Sequence, residues 1–226
     1  MLADACISIS THVPAPTGLP TKLIRNPVSL PDITAQPKLE PLAAMAVVAA
    51  IYPQKRQDLA IAALAALHQR PEGRAARLVL IGQEFDADYA AALRRQIATL
   101  GLGPAVAFAG LRAAERAFDD VGLALFPSEA EIQPLALAEA LGRGLPVVAS
   151  DIPAHRVMIA ETGADPGTLS APDPEAFADA ILRSARTAIP SSVAQRVRAL
   201  HATEVFDQRS APSTGRRSAD PARESG

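Results

Sequence analysis

The apolar residues of this chain fall into short continuous runs separated by longer periodic stretches, and this alternation extends from Met45 to about Ile189. Met45–Ile51, Arg77–Ile81, Ala105–Phe108, Leu123–Phe126 and Pro146–Ala149 have the length and all-round apolarity of buried strands. Between them, Gln57–Gln69 sets Leu59, Ala63, Leu64 and Leu67 on one helical face. Ala87–Leu100 does the same with Tyr89, Leu93 and Ile97, and Gly101 stops it. Arg112–Asp119, Pro134–Arg143 and Pro174–Thr187 are expected to complete the helices. Strands buried on both faces, each followed by a helix, predict an α/β, Rossmann-like doubly wound parallel sheet with right-handed crossovers. Ligands of such sheets bind beyond the carboxyl ends of the strands, so the residues just after each strand carry the chemistry.

The flanks read differently. Residues 1–41 hold Pro14, Pro16, Pro20, Pro27, Pro31, Pro37 and Pro41, a density that removes backbone donors and blocks helix. Only Ala5–Ser10 and Lys22–Arg25 have strand character there, which makes 1–41 a connector without its own core. The domain is expected over 42–206, with a weakly specified last helix at Val193–Phe206. Residues 207–226 are nearly devoid of apolar side chains and are expected to be a disordered tail.

Composition narrows the partners. The chain of 226 residues is 49% hydrophobic but only 4% aromatic, with no Trp, so its core is built on Ala and Leu. A net charge of −2 without a basic stripe ahead of the tail argues against nucleic acid as a partner. The single cysteine, Cys6, allows neither an internal disulfide nor a cysteine-based metal site, which suits a reducing cytoplasm. The longest apolar run, Leu42–Tyr52, is far short of the roughly 20 residues that span a bilayer. The N-terminus lacks a positive leader, so a cytoplasmic protein with at most peripheral membrane contact is expected.

At the strand ends, Gly82 permits a tight turn and close approach of a ligand, although a plain turn explains it equally well. Lys55 and Arg56 stand at the mouth of a helix, where a phosphate would meet backbone N–H groups and cations; a solvated loop lysine is the competing reading. No GxGxxG and no GxxxxGK[ST] follows any strand, which removes the usual support for a redox dinucleotide or a P-loop nucleotide. The fourth strand ends in Pro127-Ser128, followed by Glu131 in a loop, Pro134 at a helix start, and Glu139 inside the helix. At about 1.5 Å per residue the two carboxylates stand on the order of 12 Å apart. That span suits a sugar and a ribose on either side of a diphosphate held at the helix start. Two glutamates at this spacing also occur by chance, and the whole string through Gly144-Leu145-Pro146-Val147 is what gives them weight.

Here the sequence resembles the C-terminal, donor-binding domain of glycosyltransferase family 4, the group 1 enzymes with the GT-B fold. The Pro127-Ser128 strand end, Glu131 with Glu139, and the Gly144–Val147 strand start carry the resemblance. Tyr52-Pro53-Gln54-Lys55, Leu78–Gly82 and Val106–Gly110 agree with it. The resemblance implies a transferase that moves a sugar from a nucleoside-diphosphate donor with retention of configuration and no metal, as in polysaccharide biosynthesis. By the same resemblance Lys55 neutralises the diphosphate, Glu131 contacts the transferred sugar, and Glu139 contacts the ribose. Ile132, Gln133, Pro134 and Leu135 offer backbone donors to the phosphates, with Gly82 and Ser128 at the neighbouring strand ends.

Two departures stand out. Ala49-Ala50 occupy the places of a usual Gly-Arg, and Arg56 is the nearest candidate to replace the lost cation. Only 41 residues precede the domain, so 1–41 reads as the remnant of an N-terminal acceptor domain and its linker. A partner chain or an upstream region would then supply the acceptor side. A non-catalytic nucleotide-sugar-binding subunit is the main alternative; a sugar-nucleotide epimerase of this fold needs two domains and an acid pair that cannot be placed. His155 is either a ligand contact in a loop or a plain surface histidine, and His12, His68 and His201 carry no usable pattern.

Overall fold

The computed structural model describes residues 6–13, 21–28, 30 and 39–201. The expected tail at 207–226 and most of the proline-rich segment lie outside the described residues. Strands β3 (Met45–Val48), β4 (Leu78–Ile81), β5 (Val106–Gly110), β6 (Leu123–Phe126), β7 (Val147–Ser150) and β8 (Leu169–Ser170) form one six-stranded sheet. Their order is β5-β4-β3-β6-β7-β8, and every pairing is parallel. The chain winds outward from β3 to β5, then returns to place β6 on the other side of β3. The carboxyl ends of β3 and β6 therefore flank the point where the strand order reverses, which is where open α/β sheets bind ligands.

Two apolar layers sandwich the sheet. Met45 and Val47 of β3, with Leu123 and Leu125 of β6, face α1 (Gln57–His68), α2 (Ala87–Thr99) and α5 (Pro174–Ala185). Ala46, Ala124 and Phe126 face the opposite way, toward α3 (Leu135–Gly142), α4 (Pro153–Thr162) and α6 (Ser191–His201). The period-two alternation of a strand covered on both sides is thus visible residue by residue. Ala63 of α1, and Ala138 and Ala140 of α3, are fully buried; these short side chains let the helices lie close to the strands.

Three local expectations change. Arg112–Asp119 contains one 3-10 turn at Ala114–Arg116 in place of a helix. That turn has no side-chain cap, and Asp120 just after it takes the left-handed conformation at φ 61°. Helix α4 and strand β8 are additions to the expected set. Pro153 at the first position of α4 and the left-handed Gly163 after its end are the start and stop signals of a short helix. Strand β8 has two residues, too few for any periodic signal.

The N-terminal segment pairs with itself. Strands β1 (Cys6–Ser8) and β2 (Thr21–Leu23) form a small parallel sheet, separate from the large one. The polypeptide after β2 crosses to α6, where the His201 ring Nδ1 lies 2.9 Å from the Asn26 carbonyl oxygen. Ile24 is buried in this crossing.

Candidate functional site

A cleft of about 260 Å³ opens at the reversal point, between the ends of β3 and β6 and the start of α3. Ala49 and Ala50 form one wall, Pro127 and Ser128 another, and Gln133, Pro134 and Leu135 the third, with Lys55 and Glu131 at its mouth. Each wall has a sequence cause. Gln57, fully buried at the start of α1, donates through Nε2 to the Ala50 carbonyl at 2.9 Å and fixes the turn after β3. Pro134 sits at the N-cap of α3, which begins without a side-chain cap, and Ala136 and Leu137 of its first turn line the cleft. Uncapped first-turn N–H groups and the helix dipole favour an anion there.

The charged pair at the mouth is direct. Lys55 Nζ donates to Glu131 Oε1 at 2.5 Å, and Ser128 Oγ donates to the same oxygen at 2.9 Å. Both charged side chains are mostly buried, at 17% and 18% exposure, so each has exchanged water for the other. The loop bearing Glu131 is anchored to the lysine turn as well. Glu129 N donates to the Gln54 carbonyl at 2.8 Å, and Gln54 Nε2 donates to the Ala130 carbonyl at 3.0 Å.

The expected site residues separate into three groups. Lys55, Ser128, Glu131, Gln133, Pro134 and Leu135 meet in the cleft. Within that wall Pro134 has no N–H to offer, and Leu135 N already donates to the Gln133 carbonyl at 2.9 Å. Ile132 is 57% exposed and lines an adjoining hollow with Ile9, Asn26 and Gln54. Glu139 lies outside the cleft walls, half-buried on α3. Burial raises its carboxyl above the usual range; Arg143 opposes the shift and Glu115 adds to it. Gly82 also lies away from the walls. Its N–H donates to Gly110 O at 2.9 Å, and a Cβ at this position would stand 2.0 Å from the Ala49 carbonyl oxygen. Its visible role is the close approach of β4 to the turn after β3.

Arg56 does not replace the missing arginine. Its guanidinium forks onto Asp58, with Nε–Oδ1 at 3.1 Å and Nη2–Oδ2 at 3.1 Å. Lys55 is accordingly the one cation among the residues lining the cleft.

One residue near the site has a character the sequence did not disclose. His155 is neither in a loop nor at the surface: it is fully buried in α4. Its Nδ1 donates to the Ser150 carbonyl at 2.8 Å, which leaves Nε2 as an acceptor, and Nε2 has no partner. Burial pushes the ring below the usual imidazole range; the bond to Ser150 and the charge of Glu131 oppose this, and Lys55 reinforces it. The signal available in sequence was Pro153, which marks a helix start two residues before it. Among the described residues, no three His, Cys, Asp or Glu gather as a metal cluster, and no helix is long and apolar enough to cross a membrane.

Comparison with solved structures places this architecture. Anabaena HepE, in complex with UDP and glucose, matches with a TM-score of 0.72 at 23% identity, over 91% of this chain and 62% of its own. Sucrose-phosphate synthase from Thermosynechococcus elongatus matches with 0.71 at 25% identity, over 90% of this chain and 56% of its own. S. aureus TarM in complex with UDP matches with 0.68 at 18% identity, over 91% and 43%. The fold is the Rossmann-like half of a GT-B glycosyltransferase, and the chain spans about three fifths of the HepE length. No curated protein matches it. The glycosyl transferases group 1 family matches residues 43–186, more than half of the sequence and all six strands of the large sheet, and the chain belongs to that family.

Proposed function

We propose that this chain is the donor side of a retaining glycosyltransferase, binding a nucleoside-diphosphate sugar in the cleft between β3, β6 and α3. The observation that carries the reading is the Lys55–Glu131 pair at the mouth of a cleft walled by the start of α3. A diphosphate entering the cleft supplies Lys55 with a stronger anionic partner and meets the first turn of α3 at Ala136 and Leu137. Glu131, released from Lys55, then accepts hydrogen bonds from sugar hydroxyls, for which an ionised carboxylate has several lone pairs. As the bond from the anomeric carbon to the diphosphate breaks, negative charge grows on the leaving oxygen, where Lys55 and the helix end stabilise it. The acceptor hydroxyl forms the new bond on the same face of the sugar and passes its proton to the departing diphosphate oxygen, and no metal is assigned to the reaction.

UDP bound in the HepE and TarM structures supports uridine as the base. Glu139 contacts the ribose once the nucleoside extends along α3. Acceptor recognition is assigned to another domain or a partner chain, since the chain spans 62% of HepE and 56% of the sucrose-phosphate synthase. The test is calorimetric titration of the chain with UDP-, GDP- and ADP-sugars, in which a Kd in the micromolar to millimolar range is expected for one of them. Absence of heat with all three would end the proposal. Donor turnover in the presence of an added acceptor-domain partner separates a transferase from a binding subunit.

A further inference from the structure

The loop that carries Glu131 has neither helix nor strand between Pro127 and Pro134, and besides the Glu129–Gln54 main-chain bond it is held by side chains. One of these bonds comes from the far end of the chain. The His12 ring lies between two groups: Nδ1 is 2.5 Å from Ser10 Oγ, and Nε2 is 3.2 Å from the main-chain carbonyl oxygen of Glu131. A carbonyl oxygen only accepts, so Nε2 carries a proton and donates to it. In the neutral ring Nδ1 is then the acceptor, and the buried Ser10 hydroxyl donates to it. Ser10 is itself held, its carbonyl accepting from Ser8 Oγ at 2.7 Å. The result is a directional chain from β1 to the Glu131 backbone, bridging 119 residues of sequence.

We propose that His12 is a positioning residue for the donor sugar, holding the Glu131 loop by its main chain while Lys55 leaves the carboxylate for the diphosphate. The inference rests on the reading that Glu131 contacts the transferred sugar. Lys55 and Ser128 hold the Glu131 carboxylate, and His12 holds the carbonyl of the same residue. A diphosphate removes the first of these holds. What remains are Ser128 on the side chain, His12 on the Glu131 backbone and the two Gln54 bonds to Glu129 and Ala130, together with Asn26 N on the Gln133 side chain at 3.3 Å. The N-terminal segment, too proline-rich to form a core, thereby contributes to the geometry of a site built by the large sheet.

The experiment uses the full chain with two readouts. Long-range ¹⁵N–¹H NMR of the ligand-free protein at neutral pH is expected to show His12 as the Nε2–H tautomer. Titration with UDP and with UDP-glucose then gives the ratio of the two Kd values, which isolates the sugar's share of binding. His12→Ala is expected to lower that ratio about five- to tenfold toward the value of Glu131→Gln, with the Kd for UDP itself unchanged within about twofold. His12→Gln, which can return an N–H to the Glu131 carbonyl, is expected to restore much of it, and Ser10→Ala to give a smaller loss of the same sign. An Nδ1–H tautomer would overturn the role of His12. So would a ratio unchanged in His12→Ala but lowered in Glu131→Gln. A wild-type chain that binds UDP and UDP-glucose equally would instead refute the sugar contact of Glu131, and the role of His12 with it. No binding of either nucleotide would refute the donor reading as a whole.

Discussion

Lys55 Nζ stands 2.5 Å from Glu131 Oε1, joining two elements 76 residues apart across the mouth of the cleft. Each residue is the other's partner, so the two charges are already neutralised and mostly out of water. Under the proposed function, a donor exchanges this pair for two new ones, phosphate on Lys55 and hydroxyls on Glu131.

The two ends of the pair are expected to fail differently. Lys55→Ala removes a charge-assisted contact to the diphosphate and should weaken UDP and UDP-glucose alike, by about 10- to 100-fold. Glu131→Gln keeps the shape but removes the ionised acceptor. It should weaken UDP-glucose and leave UDP unchanged or slightly tighter, because Lys55 no longer has to be freed. Parallel calorimetric titrations of both variants check the split, and equal losses on both ligands in Glu131→Gln would count against it.

Ala50 lines the cleft where group 1 enzymes are expected to carry an arginine, and Arg56 is engaged with Asp58. Ala50→Arg should therefore add a forked phosphate donor and tighten UDP binding by about tenfold. The gain should shrink as salt is raised, since an ionic contact is screened. Titration at two ionic strengths reads both effects.

Glu139 offers a trade between stability and binding. Burial raises its carboxyl, so the folded state holds the ionised form less comfortably than the unfolded chain does. The penalty is absent below the unfolded pKa and full above the raised folded one. Glu139→Gln is thus expected to raise Tm at pH 7, with the gain vanishing toward pH 4, and to weaken UDP by removing the proposed ribose contact. Thermal melts across that pH range and one titration are sufficient.

His155 has the opposite linkage. Its ring is pushed below the ordinary histidine value of about 6.5 by burial, so its contribution to stability is present above that value and is lost as pH falls through the lower folded pKa. His201 is shifted the same way, with burial again the main cause. Tm should decline as pH falls below about 6.5 and decline less steeply in His155→Gln, whatever that change does to Tm at pH 8. A slope identical to the wild type would exclude His155 as a source.

Gly82→Ala should act on stability. The added methyl would fall 2.0 Å from the Ala49 carbonyl oxygen, against backbone rather than a movable side chain. A cost of about 1–3 kcal/mol is expected, read as a lower denaturation midpoint. Because Ala49 lines the cleft, any relief by displacement of that turn should also weaken UDP binding.

Local chemistry alone determined much of this protein. Runs such as Leu123–Phe126, apolar on both faces, required a sheet covered on both sides; Pro134 and the glycine after the helix bounded α3; and the Pro127-Ser128, Glu131, Glu139 string pointed to the donor domain of its family. These signals are short-range, written within a few turns of helix or one strand. Strand β8 and the failed helix at Arg112–Asp119 were not legible, because a two-residue strand has no period and a weak helical pattern yields to the packing around it.

Only the tertiary structure decided which long side chains meet. Arg56 and Lys55 are neighbours in sequence, yet one turns to Asp58 and the other to Glu131. His155 read as a loop residue and is buried in α4, while His12, without any pattern around it, reaches the Glu131 carbonyl from the other end of the chain. Such contacts depend on where the order β5-β4-β3-β6-β7-β8 brings strand ends together, and on rotamers chosen in three dimensions. Periodicity fixes which face of an element is buried; it holds no record of which partner, a hundred residues away, that face or the loop beside it will find.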